Sequence, residues 1–170
     1  MAMIRAVPGE EFTRVANALR RVDATLPRQF RSALKGAVKE TTTEVKATIR
    51  AAPLRRKTTH NRGLRRRLAR GVSVRVATGG RNGNAYMRII TAMPPGQEML
   101  ARGTDIVKRP NPGWRHPVFG NKDKWVHQGT GYPWFRSTIA DNRDDITRDV
   151  EKVLEEARDT IARAGGKSPA

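Results

Sequence analysis

The chain has 170 residues, of which 37% are apolar and 29% charged, with 34 Lys and Arg against 16 Asp and Glu for a formal charge of +18, and no cysteine. That composition excludes disulfides, thiolate zinc sites and iron–sulfur clusters. No run approaches the ~20 apolar residues of a membrane span, the start MAMIRAVPGEEF lacks the apolar core of a secretory signal, and the expectation is a cytoplasmically made single domain, 1–170, with a thin core whose surface is completed by neighbours.

In chain order, Phe12, Val15, Ala16, Leu19 and Val22 recur at helical spacing, which predicts a short helix over Glu10 to Val22 with its acids at the favourable amino end. Pro27 suits the first turn of a second, longer helix. There Phe30, Leu34, Val38, Thr41, Val45 and Ile49 form one core face, which should run to about Ala52, because Pro53 restricts the residue before it. Residues 53–70, PLRRKTTHNRGLRRRLAR, combine a proline, a central glycine and eight basic side chains. They predict an extended, mobile basic arm that closes in a short turn at Leu64 to Arg70.

This arm sits in the loudest feature of the sequence. Between Glu44 and Glu98 lie 53 residues with 13 basic side chains and no acid, whereas residues 131–170 carry 7 basic and 8 acidic ones. Such a local excess attracts phosphate backbones or an acidic protein surface, with steep salt dependence. The alternative is a merely solvated charge run.

Alternation of Val72, Val74 and Val76 with Ser73, Arg75 and Ala77, and a second alternating run AYMRIITAM after GGRNGN, predict a β-hairpin whose tip is residues 79–84. Residues 94–113 hold a short helix at Gln97 to Arg102 and then a proline-rich loop, KRPNPGW. A long helix should start at Pro133. Its seam is Ile139, Ile146, Val150, Val153, Leu154, Ala157 and Ile161, it ends at Gly165 and Gly166, and a frayed tail follows over 165–170. The fold class is therefore α+β: amino-terminal helices, a small antiparallel sheet built on a hairpin, and a long carboxy-terminal helix.

Between loop and last helix lies RHPVFGNKDKWVHQGTGYPWF, residues 115–135. All three tryptophans of the chain, Trp114, Trp125 and Trp134, sit in it or beside it. His116 and His127 are eleven positions apart with only Asp123 as an acid between them, which does not match a helical metal pair. Asp105 and Asp123 are too few for a magnesium-dependent nuclease, and the glycine-rich 79–84 lacks the context of a phosphate loop. No catalytic, cofactor-binding or metal-ligating residue is assigned, and the chain is expected not to be an enzyme. Stacking of single-stranded nucleic acid on the rings, among Arg115, Lys122 and Lys124, is the chemical alternative. Against it, the basic excess and the rings occupy different segments, and the aromatics bracket turn-forming prolines and glycines. The favoured reading is mechanical: Trp114, His116, Phe119, Trp125, Trp134 and Phe135 anchor an irregular segment onto the sheet and the last helix, some reaching a neighbour.

RHPVFGN at 115–121, WVHQ at 125–128 and YPWF at 132–135, followed by the terminal helix, resemble the tail-completion or head–tail joining proteins of long-tailed bacteriophages, the neck or minor tail component. Pro53 followed by RGLRRRL at 62–68 before the first strand is a second point of similarity, although this arm is longer and more basic. The resemblance implies an α+β fold, no enzymatic activity or cofactor, and a virion protein. It implies a homo-oligomeric ring, commonly of six, between the connector, stopper or terminator proteins and the tail tube, with genomic DNA passing through the lumen. Six copies at +18 carry +108, which demands compensation by DNA, acidic neighbours or counterions. One arrangement places the acidic last helix beside a neighbour's basic helix or arm. Arg55, Arg56, Lys57, Arg62, Arg65, Arg66, Arg67 and Arg70 then face the lumen or an adjoining ring, and charge reversal at Arg65 to Arg67 should block joining without unfolding. The rival expectation is a sequence-independent nucleic-acid-binding protein using the same arm.

Overall fold

The computed structural model describes residues 9–52, 61–79, 85–95, 100–101, 104–105, 114–118, 121–128 and 132–165. Its architecture is α+β. Among the described residues there are six helices: α1 Gly9–Val22, α2 Leu26–Ala37, α3 Lys39–Ala51, α4 Asn61–Gly71, α5 Arg136–Asp141 and α6 Arg143–Gly165. Two two-stranded sheets accompany them, β1 Val72–Ala77 with β2 Tyr86–Thr91, and β3 Trp114–Val118 with β4 Asn121–Gln128. No described helix is long and apolar enough to cross a membrane. The contacts group into two compact units, one drawn from Thr43–Ser73 and Thr91–Ala140, the other from Ala2–Thr42, Val74–Ile90 and Asp141–Ala170.

The second of these is a three-helix unit in which α1, α2 and α6 pack on one another. Phe12, Val15, Ala16 and Leu19 of α1 meet Phe30 and Leu34 of α2 and the Ile146, Val150, Leu154 and Ala157 face of α6, all buried. The Phe12 and Phe30 ring centroids lie 6.2 Å apart, tilted by 45°. Burying a side chain such as Leu34 contributes about 2–3 kcal/mol, so these stripes hold the unit together. Val22, the last residue of the predicted α1 stripe, is instead 38% exposed, because the helix ends there and Asp23 turns the chain. Arg20 donates to the carbonyls of Thr78 and Gly79, both at 3.3 Å, and Arg31 to the Thr78 hydroxyl at 3.1 Å, which ties the helices to the far end of β1. Gly79 has φ 74°, a backbone state open to glycine. The remainder of the predicted tip, 80–84, lies outside the described residues.

The single helix expected from Pro27 to Ala52 is two helices. Every residue of the predicted face, from Phe30 to Ile49, is buried, but the helix ends at Ala37. Val38 leaves helical geometry at φ −110°, ψ 14°, with its N–H bonded to the Gly36 carbonyl. Glycine at 36 and the β-branched Thr41, Thr42 and Thr43 weaken continuous helix here, and the Thr42 hydroxyl takes the Val38 carbonyl at 2.6 Å. The long last helix also breaks once, at Asn142. Its carbonyl accepts the Ile146 N–H at 3.0 Å, the first bond of α6, and asparagine is a favoured residue at such a start.

The basic arm is corrected too. Residues 53–60, with Arg55, Arg56, Lys57 and His60, lie outside the described residues, but from Asn61 the chain is not an extended arm with a short turn. It is the eleven-residue helix α4. Leu68 and Ala69 are buried, and this apolar side outweighs the poor helix propensity of a glycine and the repulsion among arginines. The stretch 114–128, expected to be irregular, forms a second antiparallel hairpin. Trp114 pairs with Gln128, Arg115 with His127, His116 with Val126 and Pro117 with Trp125, before the register shifts at Val118.

Two glycines test these contacts. A Cβ on Gly71 would sit 2.1 Å from the Ala92 carbonyl oxygen, whose own N–H bonds Gly71, whereas one on Gly63 meets nothing within 4 Å. Gly71→Ala should cost about 1–3 kcal/mol in denaturant unfolding, and Gly63→Ala should stabilise by about 0.5–1 kcal/mol. A pH test concerns Asp23. The Thr25 backbone N–H, 2.6 Å from its carboxylate, and next the Thr25 hydroxyl hold this acid below its ordinary value of 3.8. Its stabilising contribution is full above the ordinary carboxylate range and vanishes as pH falls through the lowered value. Asp23→Ala should therefore flatten the stability profile in that acid window and nowhere else.

Candidate functional site

The segment from Tyr132 to Arg136 is fastened by one side chain that sequence reasoning missed. Asp105, whose carboxylate is only 6% exposed, accepts backbone N–H groups from Trp134 at 3.1 Å, Phe135 at 3.0 Å and Arg136 at 3.3 Å, with the Arg136 guanidinium 3.8 Å away. These are amides at the start of α5 that have no partner within the helix. A carboxylate from 29 residues upstream thus does the work of a helix cap. The backbones run together as well: Tyr132 donates to the Thr104 carbonyl at 3.0 Å, and Asp105 and Tyr132 form a parallel bridge.

Trp134 is fully buried, with the Phe135 ring edge-on at 5.6 Å. Thr138 donates to the Trp134 carbonyl at 2.9 Å. Among the described residues no acceptor meets the buried indole Nε1–H of Trp134, a cost of about 1–3 kcal/mol that the ring's large buried area offsets. Trp134 and the half-buried Phe135 therefore pack inside the chain.

Trp125 does not. It is 49% exposed and its neighbour Val126 46% exposed, and every side chain from Asn121 to Val126 is exposed. The indole N–H donates to the Lys122 carbonyl at 2.6 Å, so the ring is held on the surface. Pro117 opposite Trp125 puts both on one face of the hairpin, and Val126 lies on the other. Lys122, Lys124 and Arg115, all exposed, give the described part of the hairpin a positive excess against the single Asp123. The Trp114 and His116 side chains and Phe119 lie outside the described residues. The register sets His116 opposite Val126 and His127 opposite Arg115, so the histidines are not cross-strand partners.

The predicted basic residues divide. Arg65 donates to the Arg50 carbonyl at 2.7 Å and to the Ala52 carbonyl, closing the carboxy-terminal end of α3, where a cation is favoured. Arg66, Arg67 and Arg70 are exposed and at 100° per residue fall within one sector of about 100°, opposite the Leu64 and Leu68 side. The Arg62 side chain lies outside the described residues. The unit that holds α4 and the Trp125 hairpin contains 17 Lys and Arg against 4 Asp and Glu, so it carries +13 of the chain's +18.

Among the described residues, no three His, Asp or Glu side chains gather as a metal site. Of the two acids weighed for magnesium, Asp105 is occupied by backbone amides and Asp123 is exposed on β4. What the unit presents is a pair of convex, positively charged surfaces, one helical and one an aromatic hairpin. Comparison with family models, curated proteins and solved structures finds no match.

Asp105→Ala should destabilise the chain by about 2–3 kcal/mol and Asp105→Asn, which keeps one acceptor, by about half that. Trp134→Phe should cost far less than the ~3–5 kcal/mol of Trp134→Ala, because it removes an unmet donor with only part of the ring. Chemical denaturation with matched slopes checks both orders.

Proposed function

We propose that this chain is a structural protein of a bacteriophage neck, one subunit of a ring that joins the capsid connector to the tail tube, leaves a channel for DNA, and resides in the virion after assembly in the host cytoplasm. The observation that carries the reading is the division of labour in the aromatic stretch. Trp134, clamped through Asp105, is a fastening, while Trp125 and Val126 stand outside on a hairpin whose described β4 side chains, Asn121 to Val126, are all exposed. Large rings held on a surface serve contacts between proteins. The motifs RHPVFGN, WVHQ and YPWF, which resemble head–tail joining proteins, fall on these same elements. The Arg66, Arg67 and Arg70 face of α4 supplies positive charge toward DNA in the lumen or an adjoining acidic ring.

The same arginine face favours one second reading, sequence-independent binding of nucleic acid as the main task. The two part on what the arginines are needed for. Arg66→Glu with Arg70→Glu should leave the melting temperature unchanged and make heads and tails accumulate unjoined. Arg65→Glu, by contrast, should lower stability, since it strips the α3 end of its partner, so the reversal of Arg65 to Arg67 as a block confounds folding with joining. Normal joining by the Arg66/Arg70 variant would contradict the neck role of this face. Tight DNA binding by the isolated chain, with a log–log salt slope reduced by about 2 in the same variant, would favour the second reading.

A further inference from the structure

A two-stranded hairpin is marginal in water unless something covers one of its faces. In β3–β4 the described side chains from Asn121 to Val126 are exposed on both faces. With its N–H already used by the Lys122 carbonyl, the Trp125 ring offers only its apolar surface, and the residues before it in β4, Lys122 to Lys124, form an exposed bulge between the Asn121 and Trp125 pairings. The matching surface is one on which an indole can lie and which carries acids at the right spacing.

The chain itself has such a surface. On α6 the exposed Asp144, Glu151, Glu155 and Asp159 follow at intervals of seven, four and four residues, within a sector of about 80° opposite the buried Ile146–Val150–Leu154–Ala157 side. Arg148 is engaged with Asp145 and Asp149, at 2.8 and 3.5 Å, but among the described residues Glu151 and Glu155 enter no ion pair. The reach agrees: Glu151 and Glu155 stand one turn apart, ~6 Å along the helix, a separation that two long lysine side chains from the Lys122–Lys124 bulge can span.

We infer that the β3–β4 hairpin of one copy seats on the outward crest of α6 of a second copy, Trp125 lying against the helix and Lys122 and Lys124 pairing with Glu151 and Glu155. The contact joins unlike patches, so each subunit keeps a free hairpin and a free crest and the assembly propagates to a ring or filament. Only its closure into a neck ring rests on the function proposed above.

The test is a charge swap in the full-length chain, followed by analytical ultracentrifugation at low and high salt. Wild type should self-associate at low salt. Lys122→Glu/Lys124→Glu and Glu151→Lys/Glu155→Lys should each be monomeric with unchanged melting temperature, since all four positions are exposed. An equimolar mixture of the two should associate again, and Trp125→Ala should weaken wild-type association at least tenfold. A monomeric wild type, reversals that leave association intact, or a mixture that stays monomeric each overturn the inference. So does a Lys122/Lys124 reversal that weakens binding to a DNA duplex and spares self-association. If the swap fails while phage carrying the variants still join heads to tails, the docking falls and the neck reading stands. If the swap succeeds but the chain is absent from purified virions, the neck reading falls and the docking stands.

Discussion

Three backbone amides on one carboxylate are the constraint on which the Trp-bearing unit depends. The first turn of α5 begins with N–H groups that no helical carbonyl reaches, and leaving such donors buried costs about 1–3 kcal/mol each. Asp105 satisfies those of Trp134, Phe135 and Arg136 from a distant part of the chain. That bond set fixes where Trp134 enters the core and where α5, and along the chain α6, begins. The cap holds the segment in place, and the Trp134 ring that the segment carries is fully buried.

With that end fixed, the sequence between the Thr104–Asp105 segment and Tyr132 is a closed excursion, and the β3–β4 hairpin is its described part. The exposure of Trp125 and Val126 shows that these two side chains of the excursion are not spent on the chain's own interior. Pro117 and the lysines of β4 suit a strand with free edges, since neither invites indiscriminate pairing. Charge follows the same division. The Trp-bearing unit holds most of the positive excess, and half of the exposed acids among the described residues lie on α6, so the contact proposed between unlike surfaces of identical chains would offset part of the repulsion that a net +18 imposes.

Periodicity made much of the fold legible. The stripes from Phe12 to Leu19 and from Phe30 to Ile49 are core, as are Ile139, Ile146, Val150, Leu154 and Ala157, while Val153 and Ile161 of the predicted seam are only half-buried; burial selects apolar residues at helical spacing whatever the tertiary detail. The breaks at Val38 and Asn142 were not legible, since each is a single residue whose local bonds interrupt a stripe that continues in phase. α4 was hidden by its arginines: charge and glycine suggest an open arm, while Leu68 and Ala69 supply only a narrow apolar side. The second hairpin was hidden by Pro117 and by Lys and Asp in β4, which give no clean alternation when both faces are exposed. Asp105 could not be found from sequence at all, because its partners are backbone amides 29 to 31 positions away.

The central claim is that one end of the aromatic stretch is fastened inside the subunit while the hairpin waits for a partner. Amide hydrogen exchange read by mass spectrometry on the free and the assembled protein measures both halves at once. The account predicts that the amides of Trp134, Phe135 and Arg136 exchange only with global unfolding in either state, while those of Asn121 to Gln128 exchange quickly in the free subunit and slow markedly on assembly. A hairpin already protected in the free subunit, or unchanged on assembly, or fast exchange at 134–136, would contradict it.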